Sequence, residues 1–171
     1  MTLTPAQPAA VVAVAPRINV TAPPGSGKTR VITNRAIHLL NIEVPPERIL
    51  CVTFTRAAAT EMHERLAATL DPHDLDRLHI STFHSWACDM LRRFPGTIDR
   101  TQHFGIYDEQ DMDDVRADLM LERRCKLKTW AGNTAPGKPD REWLLAMEEA
   151  RLREWDAIDY DRMLIGARVT L

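Results

Sequence analysis

Residues 22–29, running Ala22, Pro23, Pro24, Gly25, Ser26, Gly27, Lys28, Thr29, hold the chain's most specific chemistry. A triphosphate carries several negative charges that a protein must meet with few side chains. A tight glycine turn lets successive backbone N–H groups face the phosphates, and the helix after it presents its positive end. Gly25 and Gly27 permit that backbone path. Lys28 would reach the β and γ phosphates, the Thr29 hydroxyl would take a Mg2+ position, and Arg30 comes next on the same first turn. Ala22 stands where the general pattern has glycine, and a small residue suffices there. Pro23 and Pro24 would stiffen the turn.

Two further segments carry a shared pattern. In the first, Thr53, Phe54, Thr55 and Arg56 fall where a strand gives way to a helix, and ligands bind beyond the carboxyl ends of parallel strands. Threonine hydroxyls and backbone amides there can hold a phosphodiester, while Phe54 offers a face to a base. The second, Ser81-Thr82-Phe83-His84-Ser85, repeats the arrangement. Taken singly, each junction also has a structural reading, with Phe54 and Phe83 in a core and His84 capping a helix. Two such junctions on consecutive strands favour a nucleic-acid surface made by Thr53, Phe54, Thr55, Arg56, Thr82, His84 and Ser85.

The elements that position these residues follow from periodicity. A short opening helix over 5–14 precedes an apolar strand over 18–21, which runs into the glycine turn. A helix over 28–40 comes next, with Val31, Ala36, Leu39 and Leu40 near one face. Strands over 49–54 and 78–83 are each followed by a helix, over 56–70 and 84–94. Strand–helix alternation predicts an α/β fold with a parallel sheet covered on both faces. The alternation ceases after Pro95-Gly96. Helices over 108–128 and 140–155 flank a Gly/Pro/Asn linker over 131–139, and Trp143, Leu144, Met147, Leu152 and Trp155 would form the buried face of the second. The expected division is a core over 1–94, a helical subdomain over 95–156 and a return to the core over 157–171.

Composition suits an ordinary globular domain of 171 residues, with 44% hydrophobic and 27% charged residues. A net charge of -2 gives no bulk attraction to nucleic acid, but residues 1–58 balance at +4 and the remainder at -6. A basic phosphate-binding half and an acidic helical half fit an enzyme better than a general polyanion binder. Cys51, Cys88 and Cys125 are widely spaced and odd in number, which suggests reduced thiols in the cytoplasm rather than disulfides or a metal site. The apolar stretch 9–15 is too short for a membrane span.

The chain resembles the N-terminal portion of superfamily 1 DNA helicases of the UvrD/Rep/PcrA type, and is similar to helicase–nuclease subunits of the AddA and RecB kind. The resemblance rests on the phosphate loop, on Thr53–Met62 as the family's TFT-x-x-A-A-x-E-M signal, and on Thr82–Ser85 as its TFHS signal. Leu3, Gln7, Ala10 and Val11 match the family's opening pattern, and Arg56-Ala57 stand where it often has Asn-Lys. Residues 103–111 and 157–161 look like its entry into and return from an inserted helical subdomain. The resemblance implies a RecA-like P-loop fold, ATP and Mg2+ as cofactors, Gln7 reading the adenine edge, and ATP-driven 3′–5′ movement on single-stranded DNA.

In that family an Asp-Glu pair at the end of a core strand serves hydrolysis, together with arginines from later segments. The resemblance places that strand after Leu171. Glu148-Glu149, in an expected surface helix, Asp113-Asp114 and Asp108-Glu109 do not suit the role. Binding without turnover is the expectation, from a gene fragment or one component of a split helicase whose remainder is on another chain. The other readings left open are a regulatory or helicase-binding module, a P-loop enzyme unrelated to DNA, and a nonfunctional remnant.

Overall fold

The computed structural model describes residues 7–131 and 141–170, which form a mixed α/β structure with parallel strand pairing. Contacts group the chain into two compact units, one through Phe83 and one from His84 onward. Strand–helix alternation alone extends the first segment to residue 94, whereas contacts assign the helix over 84–93 to the second unit.

The first unit contains α1 (Gln7–Val12), α2 (Lys28–Asn41), β1 (Leu50–Thr53), α3 (Arg56–Ala67), α4 (Pro72–Arg77) and β2 (His79–Thr82). Strands β1 and β2 pair in parallel, from Leu50 opposite His79 to Thr53 opposite Thr82. Their core joins Ala36 of α2, Ile49, Cys51, Met62 and Leu66 of α3, Leu75 and Leu78. Met62 and Leu66 are wholly enclosed, and each contributes about 1.5–3 kcal/mol by burial. Because Met62 and Leu66 lie four residues apart, they fall on one face of α3 and anchor it over the sheet.

Two elements differ from expectation. The segment 18–21 is not a strand, and Ile18 and Val20 are 37% and 43% exposed. An apolar β-branched run becomes a strand only when a neighbour completes its ladder, and among the described residues β1 pairs only with β2. Helix α4 is an addition to the expected elements, although its start obeys a known rule. The Asp71 carboxylate accepts from His73 N at 2.9 Å, and Pro72 occupies the first turn.

The second unit contains α5 (Phe83–Arg93, from its second residue), β3 (Gly105–Tyr107), α6 (Glu109–Ala131), α7 (Arg141–Glu154), β4 (Ala157–Asp159) and α8 (Tyr160–Thr170). Strands β3 and β4 form a second parallel pair. Ala87, Cys88, Leu91, Phe104, Ile158, Met163 and Ala167 pack together into one core. Beyond its first residue, the linker expected over 131–139 lies outside the described residues.

Glu148 corrects the expectation of a surface acidic pair, because it is buried at 2% exposure. Its carboxylate accepts from Arg116 Nε at 2.9 Å and from Arg162 Nη2 at 3.0 Å. Arg162 also pairs with Asp159 and with Glu149. Burial would raise the Glu149 carboxyl, but hydrogen bonds from Arg153 and Arg100 outweigh it and hold the group below its ordinary value. On the same helix Leu152 is fully buried as expected, while Trp155, just beyond the helix end, is 41% exposed and lies under the Arg151 guanidinium.

Candidate functional site

The glycine turn and the start of α2 form the site's phosphate-loop half. Gly25 and Gly27 have φ of +75° and +85°, the left-handed region that glycine enters without steric cost. Gly27 is the N-cap of α2, and neither a side-chain cap nor an acidic residue occupies the helix's first turn. Its leading N–H groups are therefore uncovered by side chains, at the end where an anion is favoured. The Lys28 ammonium donates to the carbonyls of Ala22 at 2.7 Å and Pro23 at 2.8 Å. Ser26 N donates to Pro23 O at 3.3 Å, closing the turn.

The residues present fit a phosphate group. Ser26 Oγ is buried yet has no hydrogen-bond partner among the described residues, an arrangement that costs stability unless a ligand or water meets it. Thr29 and Arg30, both half-buried, come after Lys28 on the first turn of α2. Gln7, at the start of α1, donates through Nε2 to Ser26 O at 2.9 Å. The structure thus joins Gln7 to the loop, a contact that sequence spacing does not reveal.

That contact makes Gly27 the tighter of the two glycines. A Cβ at Gly27 would lie 3.0 Å from Gln7 Nε2, whereas one at Gly25 would meet nothing within 4 Å. Gly25→Ala should cost about 1–2 kcal/mol from backbone strain alone. Gly27→Ala should cost that and also displace Gln7, so thermal unfolding should begin at a lower temperature than for Gly25→Ala. Coincident melting curves for the two variants would show that Gln7 yields freely.

The strand-end residues occupy two places. In the first unit, Phe54 is 87% exposed just beyond β1, and its ring lies 5.1 Å from that of Phe83 at a tilt of 49°. Thr55 caps α3 by accepting from Ala58 N at 3.2 Å, and the Thr53 hydroxyl donates to Thr55 O at 2.9 Å. Arg56 is exposed at the start of α3, while Thr82 is buried at 8% exposure. In the second unit, His84 meets Tyr160 edge-on at 5.2 Å, and Ser85 is exposed on α5. Phe54 is therefore not core, and Thr55 rather than His84 provides a defined cap.

Several acidic groups are engaged elsewhere. Asp108 caps α6, accepting from Gln110 N and Asp111 N, and Glu109 and Asp113 both pair with Arg116. In the first unit, Glu47 pairs with Arg77, Glu61 pairs with Arg65, and Asp71 caps α4. Among the described residues no cluster of His, Cys, Asp or Glu could hold a metal ion, and no helix is long and apolar enough to cross a membrane.

A left-handed glycine turn opens an uncapped helix in a unit that also holds a parallel strand pair, an arrangement consistent with a protein of the P-loop type. Comparison with known families supplies the rest: residues 3–165 match the model for the UvrD/REP helicase N-terminal domain. The chain is 40% identical over 189 residues to the ATP-dependent DNA helicase Rep of Escherichia coli, covering 96% of this chain and 28% of that protein. It is 42% identical over 105 residues to the ATP-dependent DNA helicase PcrA of Bacillus subtilis, covering 61% and 14%. To an ATP-dependent helicase/nuclease subunit from Geobacillus kaustophilus it is 31% identical over 167 residues, covering 87% and 13%. This chain belongs to the UvrD/REP helicase N-terminal domain family. It spans less than a third of the length of each of these relatives.

Proposed function

We propose that this chain is the ATP-binding segment of a UvrD-like DNA helicase or translocase, a machine that couples ATP hydrolysis to 3′–5′ movement on single-stranded DNA. The observation that carries the reading is the uncapped start of α2 behind two left-handed glycines, with Lys28 at the mouth of the turn. The loop amides, Lys28 and Arg30 would hold the phosphates, Thr29 would hold Mg2+, and Gln7 would face the adenine. When bound, Mg2+-ATP supplies the phosphoanhydride whose cleavage drives movement. The RecA-like fold of the family is part of the same reading, and mixed α/β architecture with parallel pairing supports it.

In the first unit Thr53, Thr55, Thr82 and the Arg56 charge would contact single-stranded DNA, and in the second unit His84 and Ser85 would do so. The exposed Phe54 ring would stack on a base. Stacking of this kind contributes about 1–3 kcal/mol per base and tolerates any sequence. Turnover needs an acid that orients water and cations that stabilise the transferred phosphoryl group. Asp108, Glu109, Asp113 and Glu148 are occupied in caps and ion pairs, so the 171-residue chain is proposed to bind ATP without hydrolysing it.

Titration of a fluorescent adenine nucleotide into the folded chain with Mg2+ should saturate. Phosphate release with ATP and single-stranded DNA should stay at background. A flat titration would remove the whole reading, whereas robust turnover by the chain alone would remove only the proposal that it binds ATP without hydrolysing it.

A further inference from the structure

Helix α1 has six residues, too few to persist in water on local hydrogen bonds alone. Among its residues Val11 alone is buried. What holds its far end is Arg35 of α2, whose Nη1 donates to Val11 O at 2.9 Å and Ala13 O at 3.0 Å, with Ala10 O at 3.4 Å. These carbonyls stand at the C-terminal end of α1, where the helix carries partial negative charge and lacks internal donors. A guanidinium supplies both a complementary charge and a rigid set of N–H groups. At its other end α1 begins with Gln7, which is joined to the phosphate loop through Ser26 O.

We infer that Arg35 is a positioning residue for the base end of the nucleotide site, acting on Gln7 through α1. Lys28 and Arg35 lie seven residues apart on α2, about two helical turns. One rigid helix thus carries the phosphate-binding end directly and fixes the base-facing end through the Arg35 clamp. Without the clamp, α1 loosens and Gln7 no longer meets the base in a defined place. The phosphate half, made by the loop and the first turn of α2, is untouched. The inference rests on the proposal that the loop binds ATP.

The test compares ATP with inorganic tripolyphosphate, which has the phosphates but no base, on the 171-residue chain with Mg2+. Arg35→Met keeps the aliphatic stem and removes every donor. It should weaken ATP about tenfold while leaving tripolyphosphate affinity unchanged, a difference of about 1.4 kcal/mol. Gln7→Ala should weaken ATP at least as much, since it also removes the bond to Ser26 O, and the double variant should bind ATP no worse than Gln7→Ala alone, because both act through one contact. Arg35→Lys, which keeps the charge without the fork, should fall between wild type and Arg35→Met, and it carries the test if the methionine variant does not fold. An ATP-to-tripolyphosphate affinity ratio unchanged in the folded variants overturns the role of Arg35. Failure of the wild-type chain to bind either compound overturns the ATP-binding proposal, and the positioning role with it.

Discussion

Lys28→Ala is expected to lower Mg2+-ATP affinity by about 100-fold or more, a loss of roughly 2.8 kcal/mol. The ammonium reaches into the turn, where it donates to the carbonyls of Ala22 and Pro23. With nucleotide present, those N–H groups would turn to phosphate oxygens, and charge-assisted bonds of that kind are about twice as strong as neutral ones. The same substitution should barely change folding. Both carbonyl contacts are exposed to solvent, so water replaces the lost donor with little penalty. Nucleotide titration and thermal unfolding, run side by side, separate the two effects. A variant that melts as wild type and binds ATP as wild type would contradict the assignment of this lysine.

Glu148→Ala has the largest expected effect on stability, about 2–4 kcal/mol. Removing the carboxylate leaves Arg116 and Arg162 facing one another with their central anion gone. The side chain of Glu148 is 3% exposed, against 35% for Arg116 and 20% for Arg162. The two arginines can therefore regain some water, which keeps the cost below that of a wholly buried orphan charge. Arg116 also keeps Glu109 and Asp113, and Arg162 keeps Asp159 and Glu149. Glu148→Gln retains volume and an acceptor, and should cost less than alanine. Thermal unfolding of the three chains provides the check. An alanine variant melting within about 2 °C of wild type would mean that the ion cluster adds nothing net.

Much of the phosphate-loop half is legible in the sequence, because its chemistry depends on neighbours in the chain. Glycines two residues apart, then Lys28 and Thr29, specify a turn and the start of a helix without distant contacts. Helix α3 is also legible, since Met62 and Leu66 repeat at helical spacing and Thr55 caps it. The 18–21 segment misleads, because its pattern describes a tendency that only a paired neighbour can satisfy. Strands β3 and β4 have three residues each and pair across about fifty positions, so no local period betrays them. Glu148 reads as solvent-facing because it lies in a run of charged helical residues. Its burial depends on Arg116 and Arg162 arriving from two other helices. The Gln7 and Arg35 contacts are hidden for a related reason, as both join side chains to backbone carbonyls far along the chain.

The β3–β4 pairing sets Tyr107 beside Asp159, so the polypeptide leaves for its helical excursion and comes back at adjacent points. Arg116 with Glu148, and farther along Arg123 stacked 4.5 Å over the Trp143 ring, tie the outgoing and incoming helices together. A segment whose ends are already joined can grow or shrink at its tip with only a small entropic cost for the longer excursion. Evolution could therefore vary the outer part of this arm, by insertion or loss, while the clasp at its base kept the flanking strands in register.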